Sequence, residues 1–185
     1  MKKVLAMMLV TAMMVSVTAC GKSTVGDAEK DAPLEVLTKV WDTYKDDEKF
    51  AAVGGDMKNA VEDAPGVFDV SDVESLDVLL GFPQSSAALI DEAASLRHMM
   101  LGNLFTAGVY HVTDTSEVEM LIADLQDNIQ KRQWLDGFPD TLMIVEIGND
   151  TLVSVFGDAE IVENFQTKLL AVYEDATISV EETIE

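Results

Sequence analysis

The chain has 185 residues, of which 34 are acidic and 12 are basic, so its formal net charge is −22 at pH 7. A surface this acidic repels phosphate backbones and anionic lipid headgroups, and this excludes nucleic-acid binding. Aromatic residues are spread from Trp41 to Tyr173, which indicates an ordered globular domain rather than a disordered acidic chain.

The first element is an uncharged segment of 16 residues, Val4 to Ala19, that follows Lys2 and Lys3. A basic start, a short apolar run and a small residue at its end are typical of a secretory signal peptide. The segment is shorter than the roughly 18 to 20 residues of a membrane-spanning helix. A transmembrane helix, or a simple secretory signal with an incidental cysteine, is the alternative interpretation.

The only cysteine of the chain directly follows this segment, in the motif Val17-Thr18-Ala19-Cys20. The motif resembles the lipobox of bacterial lipoproteins. The resemblance implies cleavage between Ala19 and Cys20 and a diacylglyceryl group on the Cys20 thiol. It also implies a protein held by this lipid anchor at the extracytoplasmic face of the cell membrane. No other thiol then remains for a disulfide, a metal or a nucleophile.

The remaining chain divides by composition. Residues 20–32 are small and polar, which predicts a flexible tether that spans at most about 40 Å when extended. Residues 33–176 are long enough for a single domain with its own core, and we expect that domain to be of the α+β class. Residues 177–185 form an acidic tail that alternates weakly, and we expect the tail to be loose.

Two helices are predicted before the main part of this domain. Pro33 can occupy a first helical position, and apolar residues at helical spacing predict a helix over 33–46. Ser71 and Glu74 have the spacing of a capping box, which predicts a helix over 72–80. Between these helices, Gly54-Gly55-Asp56 and Pro65-Gly66 indicate turns.

The rest of the domain contains an approximate internal repeat. Gly81-Phe82-Pro83 recurs as Gly137-Phe138-Pro139, and Gly102-Asn103 recurs as Gly148-Asn149. A β-like run and then a helical run follow each Gly-Asn pair. The two helical runs begin at a capping box formed by Ser116 and Glu119 and at an N-cap formed by Asp158.

The repeat decides how residues 87–100 are interpreted. These residues are rich in helix formers, but their counterpart, 141–147, has the β-branched content of a strand. We therefore expect a strand that pairs with 104–112 across the Gly102-Asn103 turn, while a helix remains the alternative. The prediction is a four-stranded antiparallel sheet built from two ββα units, with helices packed on one face and two N-terminal helices before it.

From about Trp41 onward, several short motifs resemble a family of uncharacterised lipoproteins from Gram-positive gut anaerobes, a domain of unknown function. The resemblance implies no catalytic residue, and it carries over no functional residue except the lipid-bearing Cys20. The motifs are Gly54-Gly55-Asp56, Leu96 to Met100, Phe105 to His111, Ile129 to Trp134, Gly137-Phe138-Pro139 and Val155-Phe156-Gly157.

No catalytic or metal-binding constellation is evident in the sequence. His98 and His111 are the only histidines, and in strand geometry they are not neighbours. The acidic clusters at 42–48 and 56–63 lack the alternating pattern of a calcium loop and are expected to be solvated. The sequence contains no serine elbow, Walker loop or dinucleotide fingerprint. We therefore predict no catalytic residue, no metal and no cofactor.

A basic pair beside two aromatics is the one candidate interaction site: Lys131, Arg132, Trp134 and Phe138. Such a group can form a recognition site. The alternative is that Trp134 covers the end of a helix while the two cations offset the dipole of that helix.

These observations favour a nonenzymatic, lipid-anchored module that binds an envelope protein or a small ligand. The second hypothesis is a cation-dependent envelope enzyme or an accessory subunit of such an enzyme.

Overall fold

The structure is a computed structural model that describes residues 31–135 and 137–184. The predicted signal peptide (1–19), the lipidation site at Cys20 and most of the tether lie outside the described residues. The described helices are α1 (Pro33–Trp41), α2 (Val73–Leu80), α3 (Val118–Gln130) and α4 (Ala159–Val172). The strands are β1 (Ala52–Gly54), β2 (Val61–Glu62), β3 (Gly66–Phe68), β4 (Ile90–His98), β5 (Phe105–Val112), β6 (Thr141–Ile147), β7 (Thr151–Gly157) and β8 (Thr177–Thr183).

The strands form one antiparallel sheet in the order β2-β1-β4-β5-β7-β6-β8, and β3 also pairs with β4. The prediction of four strands is therefore wrong, because the sheet has eight. The two predicted ββα units, β4-β5-α3 and β6-β7-α4, form its centre. The additional strands β1, β2 and β3 have only two or three residues each, which is too short for a periodic pattern in the sequence.

The helices cover both faces of the sheet, so the prediction that they pack on one face is also wrong. Helices α1 and α4 pack against one face, and α2 and α3 pack against the other. The physical reason lies in β5 and β7, which are buried along almost their whole length without alternation. Such strands need an apolar layer on each face. Each face therefore has its own core, and residues 31–185 form one compact unit.

The C-terminal segment is not a loose tail. Residues Thr177–Thr183 form β8, an edge strand that pairs with β6 and places Val180 opposite Ile144. Its alternation of half-buried and exposed residues is the pattern of an edge strand with one covered face. Gln126 and Gln130 of α3 donate hydrogen bonds to the Glu182 carboxylate at 3.0 and 2.8 Å, and these bonds attach the strand to the helix layer.

The predicted strand within 87–100 is confirmed from Ile90 to His98. Its pairing differs slightly from the prediction, because Ala107 lies opposite Leu96 rather than His98. A shift of two residues leaves every side chain on its expected face. Strands β4 and β5 are joined by a six-residue loop, 99–104, and not by a two-residue turn.

The helix boundaries follow only some of the predicted signals. The predicted capping box of Ser116 and Glu119 is wrong, because the Ser116 backbone N–H donates to Asp114 in a short 3-10 turn and α3 begins only at Val118. Helix α1 ends at Trp41 instead of residue 46. Helix α2 begins one residue late because Asp72, rather than Ser71, caps it and accepts a hydrogen bond from Ser75 N. The N-cap at Asp158 is confirmed, since its side chain accepts from two backbone N–H groups of α4. None of the helices in the described part of the chain has both the length and the apolarity needed to cross a bilayer.

Candidate functional site

A groove of about 360 Å³ opens at one end of the sheet. It lies where the 99–104 loop, the C-terminal end of α2 and the segment after α3 meet, and we call it the apolar groove. Its apolar lining comes from distant parts of the chain: Val78, Leu79, Met100, Leu101, Trp134, Leu135 and Phe156.

Several of these apolar side chains are exposed to solvent. Leu135 is 93 % exposed, Met100 is 80 % exposed, and Val78 and Leu101 are also exposed, though less fully. Single exposed apolar residues are common on protein surfaces, but a contiguous group around a concavity marks an interaction site. The groove therefore has the composition of a binding surface and not of an ordinary charged surface.

Trp134 forms the inner wall of the groove. Its ring packs on Phe156 of β7 with a centroid distance of 5.2 Å, and the Arg132 guanidinium lies 5.6 Å from the ring centroid. The indole Nε1 is buried and has no hydrogen-bond partner among the described residues. A buried donor without a partner costs free energy. A bound group that placed a hydrogen-bond acceptor at this nitrogen would therefore gain binding free energy.

Arg132 joins the end of α3 to the end of α2. Its guanidinium donates to the carbonyl oxygens of Asp77 at 2.7 Å and Val78 at 2.8 Å, and it pairs with the Asp77 carboxylate at 3.1 Å. A cation at these carbonyls compensates the negative end of the helix dipole. The helix that Arg132 compensates is thus α2, and not α3 as the sequence suggested.

We expect Arg132→Ala to lower the free energy of unfolding by about 2 kcal/mol, because it removes three charge-assisted hydrogen bonds from a largely buried side chain. Lys131→Ala is the matched control. Lys131 is exposed and, among the described residues, its ion pair is with Asp127 one turn back, so its loss should change the free energy by less than about 0.5 kcal/mol. Urea unfolding of the two variants measures the difference, and equal losses would contradict this role of Arg132.

The structure brings together only two of the four candidate residues. Arg132 and Trp134 line the groove, whereas Lys131 and Phe138 do not. Phe138 is 65 % exposed and follows Gly137 on the way to β6. The sequence reasoning missed the contribution of the 99–104 loop, although consecutive Met99, Met100 and Leu101 directly before a glycine were a signal of an apolar loop.

The two histidines lie at opposite ends of β4 and β5, as their spacing predicted. The Nδ1 of His98 accepts a hydrogen bond from the backbone N–H of Met100 at 3.2 Å, which shapes the loop at the groove. His111 contacts Asp91 at 2.5 Å and Asp150 at 3.8 Å. These two carboxylates contact different ring nitrogens, so His111 and both aspartates cannot bind one ion together.

The acidic clusters have structural roles within the domain. In the 42–48 cluster, the backbone N–H of Lys45 and the Lys168 ammonium lower the pKa of Glu48 to about 2. In the 56–63 cluster, Asp56 is buried and accepts hydrogen bonds from the backbone. Over residues 31–135 and 137–184, no three His, Cys, Asp or Glu side chains are grouped so that they could hold a metal ion.

The N-terminus of the described domain lies at the other end of the sheet from the groove. Pro33 lines a second cavity, of about 350 Å³, with Asp91 near the start of β4, and the Tyr173 hydroxyl at the end of α4 donates to Asp31 at 2.8 Å. The groove lies beyond His98, at the end of the same strand. Asp91 and His98 are seven residue steps apart along β4, a distance of about 23 Å.

Comparisons with known proteins leave the groove to be interpreted from its own geometry, because no family model, no curated protein and no solved structure matches the chain.

Proposed function

We propose that this protein is a lipid-anchored domain on the extracytoplasmic face of the cell membrane that binds a partner through the apolar groove. The observation that carries the proposal is the group of exposed apolar side chains around Trp134. Its composition, a tryptophan and an arginine at the centre with aliphatic residues around them, is that of an interaction hot spot. A volume of about 360 Å³ is also within the usual range of ligand pockets.

The position of the groove supports this proposal. The predicted anchor, Cys20, precedes Asp31 by eleven residues, a segment that reaches at most about 40 Å. Asp31 is bound at one end of the sheet by Lys39 and Tyr173, and the groove lies at the opposite end. Attachment through the Asp31 end of the domain therefore leaves the groove, at the other end of the sheet, accessible to a partner.

The anchor is tested by Cys20→Ser. In a bacterial host that makes lipoproteins, we expect the variant to lose radiolabelled palmitate and to leave the membrane fraction, because stable attachment requires the acyl chains. Thr24→Ala, a change in the predicted tether, should retain both the label and the membrane association. Unchanged labelling of the serine variant would show that the lipid is not on this residue.

The groove is tested by photo-crosslinking on intact cells. A photoreactive residue at Leu135, which is 93 % exposed and lines the groove, is expected to form a defined adduct. The same residue at Met57, which is 73 % exposed and does not line the groove, is the matched control. We expect Trp134→Ala to remove the Leu135 adduct. Identical adducts at both positions would contradict a specific site.

A further inference from the structure

The basic side chains of the domain are all engaged within it. Four of the twelve basic residues precede residue 31, and each of the eight that follow contacts a group of the same domain. Six form ion pairs with carboxylates, Lys49 lies over the Trp41 ring, and Arg97 donates to the Gly55 carbonyl. The six ion-paired residues are Lys39, Lys45, Lys58, Lys131, Arg132 and Lys168.

The domain therefore presents a surface dominated by carboxylates. Residues 31–185 contain 32 acidic and eight basic residues, and the eight cations already have partners. A charge distribution of this kind repels anions and concentrates cations near the surface, and it speeds the association of positively charged partners.

The groove adds a second requirement, which is apolar contact. Its one cation, Arg132, is already occupied by Asp77 and two backbone carbonyls, so the groove offers little attraction to an anionic ligand. Its rim carries the apolar Val78, and Glu74 lies one helical turn before Val78 on the exposed surface of α2. A partner that fills the groove should thus have apolar side chains at the contact. Basic side chains elsewhere on the partner would be attracted by the acidic surface of the domain.

We infer that the occupant of the groove is a protein segment that contains both apolar side chains and lysine or arginine. This inference rests on the proposed binding function and specifies the class of partner. A second copy of the chain is disfavoured because two domains of the same strong negative charge repel each other. A membrane surface is disfavoured because the groove lies at the end of the sheet opposite to Asp31 and because anionic headgroups repel a domain with 32 acidic and eight basic residues.

Binding of short labelled peptides to residues 31–185, which have a core on each face of the sheet, tests the inference. Fluorescence anisotropy would compare a peptide of alternating leucine and lysine with a leucine–glutamate peptide and a serine–lysine peptide. We expect the leucine–lysine peptide to bind about tenfold more tightly than either of the others, and its affinity to fall as salt is added. Equal affinity for the leucine–glutamate or the serine–lysine peptide would overturn the inference.

Two variants locate the binding on the molecule. Leu135→Ser changes a side chain that is almost fully exposed, so the fold is retained, and it should weaken the leucine–lysine peptide about fivefold. Met57→Ser, outside the groove, should leave the affinity unchanged. An equal loss of peptide affinity in both variants would overturn the inference. Tighter binding to anionic lipid vesicles than to the peptide would also overturn it, and so would dimers that exclude the peptide.

The peptide experiment and the crosslinking experiment distinguish a failure of this inference from a failure of the proposed function. If no peptide binds but the Leu135 adduct forms on cells, the basic apolar partner is wrong and the groove remains a binding site. If the leucine–lysine peptide binds in a manner that depends on Leu135 and no adduct forms on cells, the class of segment is supported and the cellular role fails.

Discussion

Replacing Gly54 with alanine is expected to lower the free energy of unfolding by about 3 kcal/mol or more, which is enough to unfold many domains. A Cβ atom at this position would lie 2.1 Å from the backbone nitrogen of Gly66 and 2.5 Å from the carbonyl oxygen of Ala64. Both contacts are with backbone, so no side chain can rotate away. The substitution therefore has to separate β1 from the chain at β3.

Gly102→Ala is the matched control for this prediction. The nearest atom to a Cβ at Gly102 is the Thr106 hydroxyl oxygen at 3.5 Å, an ordinary van der Waals contact. We expect its effect to stay within about 0.5 kcal/mol. Urea unfolding followed by circular dichroism measures both variants, and a Gly54→Ala protein as stable as the Gly102→Ala protein would show that the two backbones are not in close contact.

The motif that contains Gly54 shows where sequence reasoning stops. Gly54-Gly55-Asp56 indicated a turn, and Gly55 does have a positive φ of 76°. The three residues also form the seam at which β1 approaches β3, since both strands pair with β4. Such a seam depends on the close approach of two short strands, and strands of two or three residues have no periodicity by which the sequence could predict them.

The central part of the fold was predictable because the internal repeat allows the ambiguous segment 87–100 to be compared with its counterpart, 141–147. The strand within 141–147 identified Ile90–His98 as a strand against the helix propensity of its alanine-rich sequence. The prediction of a single helix layer was wrong, although the runs at 104–112 and 151–156, which contain no Asp, Glu, Lys or Arg, carried the relevant signal. Strands without alternation are buried on both faces and need helices on each.

The candidate site was predictable only in part. An aromatic residue beside a basic one, Trp134 after Arg132, correctly marked one wall of the groove. The opposite walls come from Val78 and Met100, which are separated from Trp134 by more than thirty residues and meet it only through the tertiary fold. Phe138 is close to Trp134 in sequence but is not part of the groove lining, although the neighbouring Gly137, with a positive φ of 101°, is.

Replacing Asp56 with alanine is expected to lower the free energy of unfolding by about 3 kcal/mol. The Asp56 side chain is only 2 % exposed. One carboxylate oxygen accepts from the backbone N–H groups of Lys58 at 2.7 Å and Asn59 at 2.9 Å, and the other accepts from Asp69 N–H at 3.2 Å. Alanine leaves these three donors without their acceptor, and each unsatisfied buried donor costs about 1 to 3 kcal/mol, with partial relief where water enters.

The same carboxylate gives the prediction a dependence on pH. Burial acts to raise the pKa of Asp56, but hydrogen bonds from Asn59, Lys58 and Asp69 outweigh it and hold the pKa below its ordinary value of 3.8. A group whose pKa is lower in the folded state stabilises the protein above its unfolded pKa, and this stabilisation is lost as the pH falls through the folded pKa. Asp56 should therefore contribute in full at pH 7 and progressively less below pH 3.8.

Asp56→Asn removes the negative charge of the Asp56 carboxylate but nearly keeps the shape of the side chain. Asparagine keeps one oxygen acceptor but places an amide group opposite the N–H of Asp69, so we expect the variant to be less stable than the original chain at pH 7. The difference in free energy of unfolding between the two proteins should narrow as the pH is lowered beneath 3.8, and Glu62→Gln, at an exposed position, controls for the change in net charge. A difference that stays constant down to that range would mean that the hydrogen bonds to Asp56 do not depend on its negative charge.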